Sequence, residues 1–129
     1  MQPLRKTDAA MTEMFQPPQA SSTDEQLVAR LRAAVQGEVL SDPVSRGLYA
    51  TDASMFQVWP LAVVLPRRRK DALAAMRVAA EASVAILPRG GGTSLSGQTI
   101  NRAVVIDASK HMNRLLERYP LPPPRIMRR

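Results

Sequence analysis

The sequence predicts an α+β fold built around a βαβ unit that carries a glycine-rich loop. The apolar run Leu61–Leu65 has a proline on each side and predicts a short buried strand. From Arg69 to Ala82 apolar residues recur at helical spacing, and the apolar run Val84–Leu87 predicts a second strand. Because a helix joins them, the two strands are expected to be parallel. The run Arg89–Gly97 would then leave the carboxyl end of a parallel strand, where open α/β sheets bind ligands.

Further elements are expected on both sides of this unit. Ser22 and Glu25 fit a capping box at the start of an amphipathic helix. Glu38–Leu40 predicts a short extended segment, and Asp42–Pro43 opens a turn or a single helical turn. The β-branched run Ala103–Asp107 predicts a third strand. All of these elements belong to one modest core.

Proline-rich ends limit the length of the folded part. The chain has 129 residues, enough for one small domain. Residues 1–20 combine prolines with polar residues and are predicted to be disordered. Residues 118–129 include a proline cluster that neither a helix nor a central strand accommodates. We therefore assign the fold to residues 21–117 and expect the last twelve residues to be an irregular, non-native tail.

Charge and composition narrow the classes of function. The net charge is +7, but residues 1–60 carry −2 and residues 61–129 carry +9. A basic half suits nucleic acid, a membrane surface or a polyanionic cofactor. Aromatic residues make up only 4% of the chain, too few for a platform that stacks single-stranded nucleic acid. The sequence has no cysteine, no apolar run long enough to span a membrane and no signal-peptide core, so we expect a cytoplasmic protein without nucleic-acid partners.

The glycine run is the strongest functional signal. Three successive glycines supply no side chain to a core, and a sequence retains them where the backbone takes a positive φ or another molecule approaches closely. Hydroxyl side chains follow them at Thr93, Ser94 and Ser96, and Arg89 precedes them. Successive backbone N–H groups in a turn form a concavity that binds anions. The run therefore predicts a site for a diphosphate.

Other interpretations of this run fit less well. A Rossmann fingerprint needs G-x-G-x-x-G leading into a helix, whereas a strand is expected after this loop. A phosphate-binding P-loop needs a lysine where Gln98 stands, so a degenerate P-loop module remains as an alternative. A flexible spacer without a ligand would not need a βαβ context or a flanking arginine. A basic nucleic-acid-binding protein that uses the +9 half is the second alternative.

The sequence closely resembles FAD-linked oxidases with an FAD-binding domain of the PCMH type, also called vanillyl-alcohol-oxidase-like. The resemblance runs through Tyr49-Ala-Thr-Asp-Ala-Ser54, Pro60-Leu-Ala-Val-Val-Leu-Pro66, Ala85–Gly97 and Val105–Arg114. Within that family it is closest to the dehydrogenases of D-lactate, glycolate and D-2-hydroxyglutarate. It implies that the fold is the N-terminal lobe of such a domain, incomplete at this length.

The resemblance also implies a cofactor and a site. FAD would lie with its pyrophosphate in the loop, held non-covalently, because relatives that attach flavin covalently have a histidine where this chain has Thr93. The reaction it implies is hydride transfer from a small 2-hydroxy acid to the flavin. The predicted cofactor-binding residues, none of them catalytic, are Arg89, Gly90, Gly91, Gly92, Thr93, Ser94, Gly97 and Gln98.

The chain departs from that family in extent. The family's enzymes continue into more of the FAD domain and into a cap domain that supplies the substrate site. We therefore expect a truncated or frameshifted product that keeps the first flavin-binding lobe, with a 2-hydroxy acid as substrate only of a complete enzyme. The sequence assigns no oligomeric state.

Four polar residues outside the loop have structural interpretations. Asp52 and Ser54 either approach the cofactor or form an Asx-type turn. Asp107, at the end of a strand, is expected to cap the next turn. His111 is expected to be a surface residue, so no metal site is predicted.

Overall fold

A computed structural model of the chain describes residues 18–114. The predicted terminal segments, residues 1–20 and 118–129, lie outside this range except for residues 18–20. The elements in chain order are α1 (Ser22–Ala34), β1 (Glu38–Leu40), α2 (Pro43–Leu48), β2 (Ala62–Leu65), α3 (Arg69–Glu81), β3 (Ile86–Arg89) and β4 (Val104–Asp107).

The four strands form one mixed sheet in the order β1-β2-β4-β3. β2 and β3 both pair with β4 in parallel, and β1 pairs with β2 in the antiparallel direction. The predicted βαβ unit is therefore confirmed, with β4 inserted between its two strands. The carboxyl ends of β2, β3 and β4 lie at one edge of the sheet, and the glycine run starts there.

Several predicted boundaries were wrong by one or two residues, including both ends of β3 and the starts of β2 and β4. The capping box is formed by Ser21 and Asp24, whose side chains accept from each other's backbone N–H at 3.2 and 3.1 Å. β3 begins at Ile86 because the N–H of Val84 donates to the Ala79 carbonyl at 2.9 Å and closes the end of α3. The helical turn after Asp42 is confirmed, and the Asp42 carboxylate accepts from the N–H of Ser45 at 2.9 Å.

The helices α1 and α3 cover one face of the sheet. Apolar residues that alternate along β2 and β4 pack there against Leu27 and Leu31 of α1 and Val78 of α3. The opposite face has a smaller cluster, formed by Val63, Leu65 and Val105 with Leu40, Tyr49 and Leu87 packed against it. Within residues 18–114, no helix is long and apolar enough to cross a membrane.

Candidate functional site

The site lies in the long connection between β3 and β4. Arg89 ends β3 in register with Asp107, the last residue of β4. Side chains alternate between the faces of a sheet. Arg89 and Asp107 therefore share the face of Leu87 and Val105, away from the helices. The sheet thus fixes the start of the glycine loop at the edge where the parallel strands β2, β3 and β4 end.

The Arg89 guanidinium connects this loop by hydrogen bonds to residues 49–51. Its Nη1 donates to the carbonyl oxygens of Tyr49 and Thr99, at 3.2 and 3.0 Å. Its Nη2 donates to the carbonyl oxygen of Thr51 at 2.8 Å. A guanidinium has five N–H donors, so two remain for other partners. Arg89 therefore joins both ends of the loop to residues 49–51.

The candidate site has two walls. The glycine loop is the first, and residues 50–58 form the second. The N–H of Ala53 donates to the carbonyl of Gly92 at 3.1 Å, which ties this segment to the glycine run. The carboxylate of Asp52 accepts from the N–H of Ser54 at 2.9 Å, which confirms the Asx-type turn. It also accepts from the hydroxyl of Thr99 at 2.9 Å. Asp52 therefore ties the far end of the loop to this wall.

Hydrogen bonds also set the charge state of Asp52. The bonds from Ser54, with further bonds from Thr99, lower the pKa of its carboxyl to about 2. The group is therefore a carboxylate throughout the neutral range. Its negative charge is used to hold backbone and hydroxyl donors of the two walls.

Ser94 organises the second half of the loop. Its Oγ accepts from the N–H of Gln98 at 3.1 Å and from the N–H of Ser96 at 3.4 Å, and it also bonds the Gln98 side chain. These bonds close a turn that ends at Gly97, which has a φ of +76°. The hydroxyl of Ser94 is thus engaged within the loop, as are three donors of Arg89.

The first half of the loop is open. Gly90, Gly91 and Thr93 are exposed. A Cβ atom on Gly90 would meet no atom of the described chain within 4 Å, and one on Gly91 would meet only the Thr93 methyl group, at 3.6 Å. The N–H groups of Gly90, Gly91 and Thr93 donate to no other described residue. These backbone N–H groups belong to exposed residues and have no partner among the described residues, which fits a diphosphate.

Tyr49 and Asp107 lie behind the loop. The Tyr49 hydroxyl donates to Asp107 Oδ2 at 2.7 Å, and the N–H of Ser109 donates to Oδ1 at 2.7 Å, as predicted for a capping residue. Burial and the bond to Asp107 raise the pKa of Tyr49 to about 12. Burial opposes the charged form of Asp107, but the bonds from Ser109 and Tyr49 outweigh it and lower its pKa. At neutral pH a neutral hydroxyl therefore meets a carboxylate.

The eight predicted cofactor-binding residues lie in one loop, with two kinds of environment. Gly90, Gly91, Thr93 and Gln98 are exposed, whereas Arg89, Gly92, Ser94 and Gly97 are half-buried and contact the rest of the chain. Their role in cofactor binding stays a prediction. The sequence interpretation did not assign roles in this site to Tyr49 and Thr99, since their contacts join positions 58 and 47 residues apart.

Comparison with known proteins finds a family model and relatives that are similar to this chain. Residues 60–119 match the family model described as FAD binding domain. D-2-hydroxyglutarate dehydrogenase of Pantoea ananatis is 40% identical over 84 residues, which cover 63% of this chain and 8% of that protein. The enzyme of the same name from Escherichia coli is 39% identical over 87 residues, 65% of this chain and 8% of that protein. The chain thus spans less than a tenth of the length of these relatives.

A solved structure shares the fold at low sequence identity. An alkyldihydroxyacetonephosphate synthase structure superposes with a TM-score of 0.62 at 20% identity, over 80% of this chain and 22% of that one. The predicted fold class, an incomplete α+β lobe of the PCMH type, is confirmed. The cofactor of this fold is FAD. Through residues 60–119 the chain is similar to FAD binding domains, and over 84 residues it is similar to a D-2-hydroxyglutarate dehydrogenase.

Proposed function

We propose that this chain binds the pyrophosphate of FAD with the N–H groups of Gly90, Gly91 and Thr93, as the flavin-holding part of a 2-hydroxy-acid oxidoreductase. The observation that carries this assignment is the row of N–H groups without a described partner at Gly90 and Gly91, where a Cβ atom would meet nothing within 4 Å and only the Thr93 methyl group at 3.6 Å, respectively. Neither Gly90 nor Gly91 has a positive φ, so the backbone conformation does not demand glycine there. Close approach of another molecule supplies the reason.

The remaining loop residues hold this arrangement. Ser94 and Gly97 shape the turn that returns the chain toward β4, and Gln98 closes it from the surface. Arg89 anchors the loop and adds a positive charge beside the diphosphate, with two N–H donors left for it. We extend the domain over residues 21–117, because α1 and β1 pack on the same sheet as the matched residues.

FAD supplies the redox chemistry when bound, and the protein orients it. The substrate class comes from the relatives, which are dehydrogenases of D-2-hydroxyglutarate. We assign the 129 residues to cofactor binding and expect no turnover from them alone, since they match 8% of the length of those enzymes. A cytoplasmic location stays a prediction.

We further propose that FAD is held non-covalently. The position after the glycines is Thr93, whose side chain has no ring nitrogen to bond the flavin. His111 is the one histidine of the chain, and its Nε2 lies 3.0 Å from a Glu38 carboxylate oxygen. Denaturation of an FAD-loaded sample should release all flavin into the filtrate. Flavin that stays with the denatured chain would contradict this proposal.

The direct test is titration of the 129-residue chain with FAD, followed by flavin fluorescence and by calorimetry. We expect saturable binding at one FAD per chain and no displacement by ATP with Mg²⁺. Displacement by ATP with Mg²⁺ would favour a degenerate P-loop instead. That alternative is already weakened, because no helix follows the loop between Gln98 and β4. Absence of saturable FAD binding would overturn the proposal.

A further inference from the structure

The Arg89 guanidinium contacts the backbone of the glycine loop and is itself held by other residues. Arg89 donates to three carbonyl groups. Two of them, at Tyr49 and Thr51, belong to the neighbouring segment, and the third, at Thr99, lies at the far end of the loop. A Cβ atom on Gly92 would overlap this guanidinium, whose Cζ would lie 2.9 Å away. The guanidinium therefore occupies the space beneath Gly92 and determines where the backbone of the glycine run passes.

The Tyr49 ring supports the guanidinium. The Arg89 Cζ lies 5.1 Å from the centroid of that ring, within the range of a cation–π interaction. The ring is held at its other end, since the hydroxyl donates to the Asp107 carboxylate. Asp107 is 5% exposed, and its carboxylate accepts a hydrogen bond from the N–H of Ser109. Contacts thus run without a gap from the end of β4 to the glycine run.

We propose that Tyr49 and Asp107 are positioning residues that hold the FAD-binding loop in its receptive conformation through the Arg89 guanidinium. This assignment rests on the proposed function. Neither side chain needs to touch the cofactor. Arg89 acts here through its planar fork, which bonds three carbonyls at once, rather than through its charge alone. Lysine has the charge but not the fork.

Three variants separate these contributions. Tyr49→Phe removes the bond to Asp107 and keeps the ring, Asp107→Asn removes the carboxylate charge, and Arg89→Lys keeps the charge and removes the fork. Asp42→Asn is the matched control, because that carboxylate also caps a backbone N–H but lies outside these contacts. The readouts are the amide ¹H–¹⁵N resonances of Gly90, Gly91 and Gly92 without ligand, the Tm, and the Kd for FAD.

We expect Tyr49→Phe and Asp107→Asn to displace or broaden the three glycine resonances and to weaken FAD binding about threefold to tenfold, as for the loss of one hydrogen bond. The double variant should lose about as much as one single variant, because the two residues act as a unit. Arg89→Lys should lose at least as much as either. Asp42→Asn should match the wild type in resonances and Kd.

Wild-type glycine resonances in both Tyr49→Phe and Arg89→Lys would overturn the assignment, and so would wild-type FAD affinity in Arg89→Lys. If Tyr49→Phe does not fold, the FAD affinity of Arg89→Lys still decides the outcome. If Arg89→Lys does not fold, wild-type glycine resonances in both Tyr49→Phe and Asp107→Asn would overturn the assignment. If the wild-type chain fails to bind FAD, the proposed function is refuted, while the resonances measured without ligand still test the positioning by Tyr49 and Asp107.

Discussion

The two pairs of glycines in the loop differ in what demands them. Gly92 and Gly97 have positive φ angles of 67° and 76°, and side-chain atoms of Arg89 and Phe56 fill the space beside them. Gly90 and Gly91 have neither a positive φ nor a crowded neighbourhood. The chain's own fold thus explains Gly92 and Gly97, whereas the ligand approach that we propose would explain Gly90 and Gly91. Substitution at the two pairs should therefore affect different properties.

The largest effect is expected for Gly92→Ala. A left-handed conformation costs a residue with a Cβ roughly 1–2 kcal/mol, and the new methyl group would also displace the Arg89 guanidinium. We expect a Tm lower by roughly 4–8 °C per kcal/mol lost, together with a loss of FAD binding. Thermal unfolding followed by circular dichroism, with and without FAD, measures both. An unchanged Tm would contradict the conclusion that the fold itself requires glycine at position 92.

Gly91→Ala is the matched counterpart and should separate stability from binding. Its methyl group would meet only the Thr93 methyl group, at an ordinary contact distance of 3.6 Å, so the free energy of unfolding should stay within about 0.5 kcal/mol of the wild type. The same methyl group would stand where a diphosphate approaches the N–H groups, and we expect the Kd for FAD to rise at least about tenfold. Equal Kd values for this variant and the wild type would show that FAD does not approach here.

A smaller effect is expected from acid on the Asp52 bonds between the two walls. Its pKa is about 2 in the folded chain and near 3.8 when unperturbed. A carboxyl group with a lowered pKa stabilises the fold at a pH above its unperturbed pKa. This contribution disappears as the pH falls from about 4 through about 2. Urea unfolding across this window should show a steeper loss for the wild type than for Asp52→Asn. Identical slopes would contradict the bonds assigned to Asp52.

The smallest effect is expected at the basic run beside α3. Residues 67–70 are all exposed. Arg68→Gln should leave the Tm unchanged and the Kd for FAD within about twofold of the wild type. Duplex DNA added at several salt concentrations provides the check on the nucleic-acid alternative. DNA binding that falls steeply with salt and weakens in this variant would favour that alternative over a flavin site.

Local sequence determined the elements and the location of the site. Apolar runs predicted three of the four strands of the sheet, and helical periodicity predicted α1 and α3, because burial imposes a period of two or 3.6. The glycine run predicted the loop and the kind of ligand proposed for it, since successive residues without side chains can be identified from the sequence alone. The exact starts of α1 and β3 were wrong, because competing donors one or two residues away decide such boundaries.

Only the tertiary structure decided which residues of the loop are free. The insertion of β4 between β2 and β3 brings Asp107 into register with Arg89 and beside Tyr49. As a result, three donors of Arg89 are engaged by backbone carbonyls, and the N–H groups of Gly90 and Gly91 are left open. These contacts join residues 40 and 58 positions apart. Their pairing depends on strand order and side-chain direction, which no local pattern in the sequence encodes.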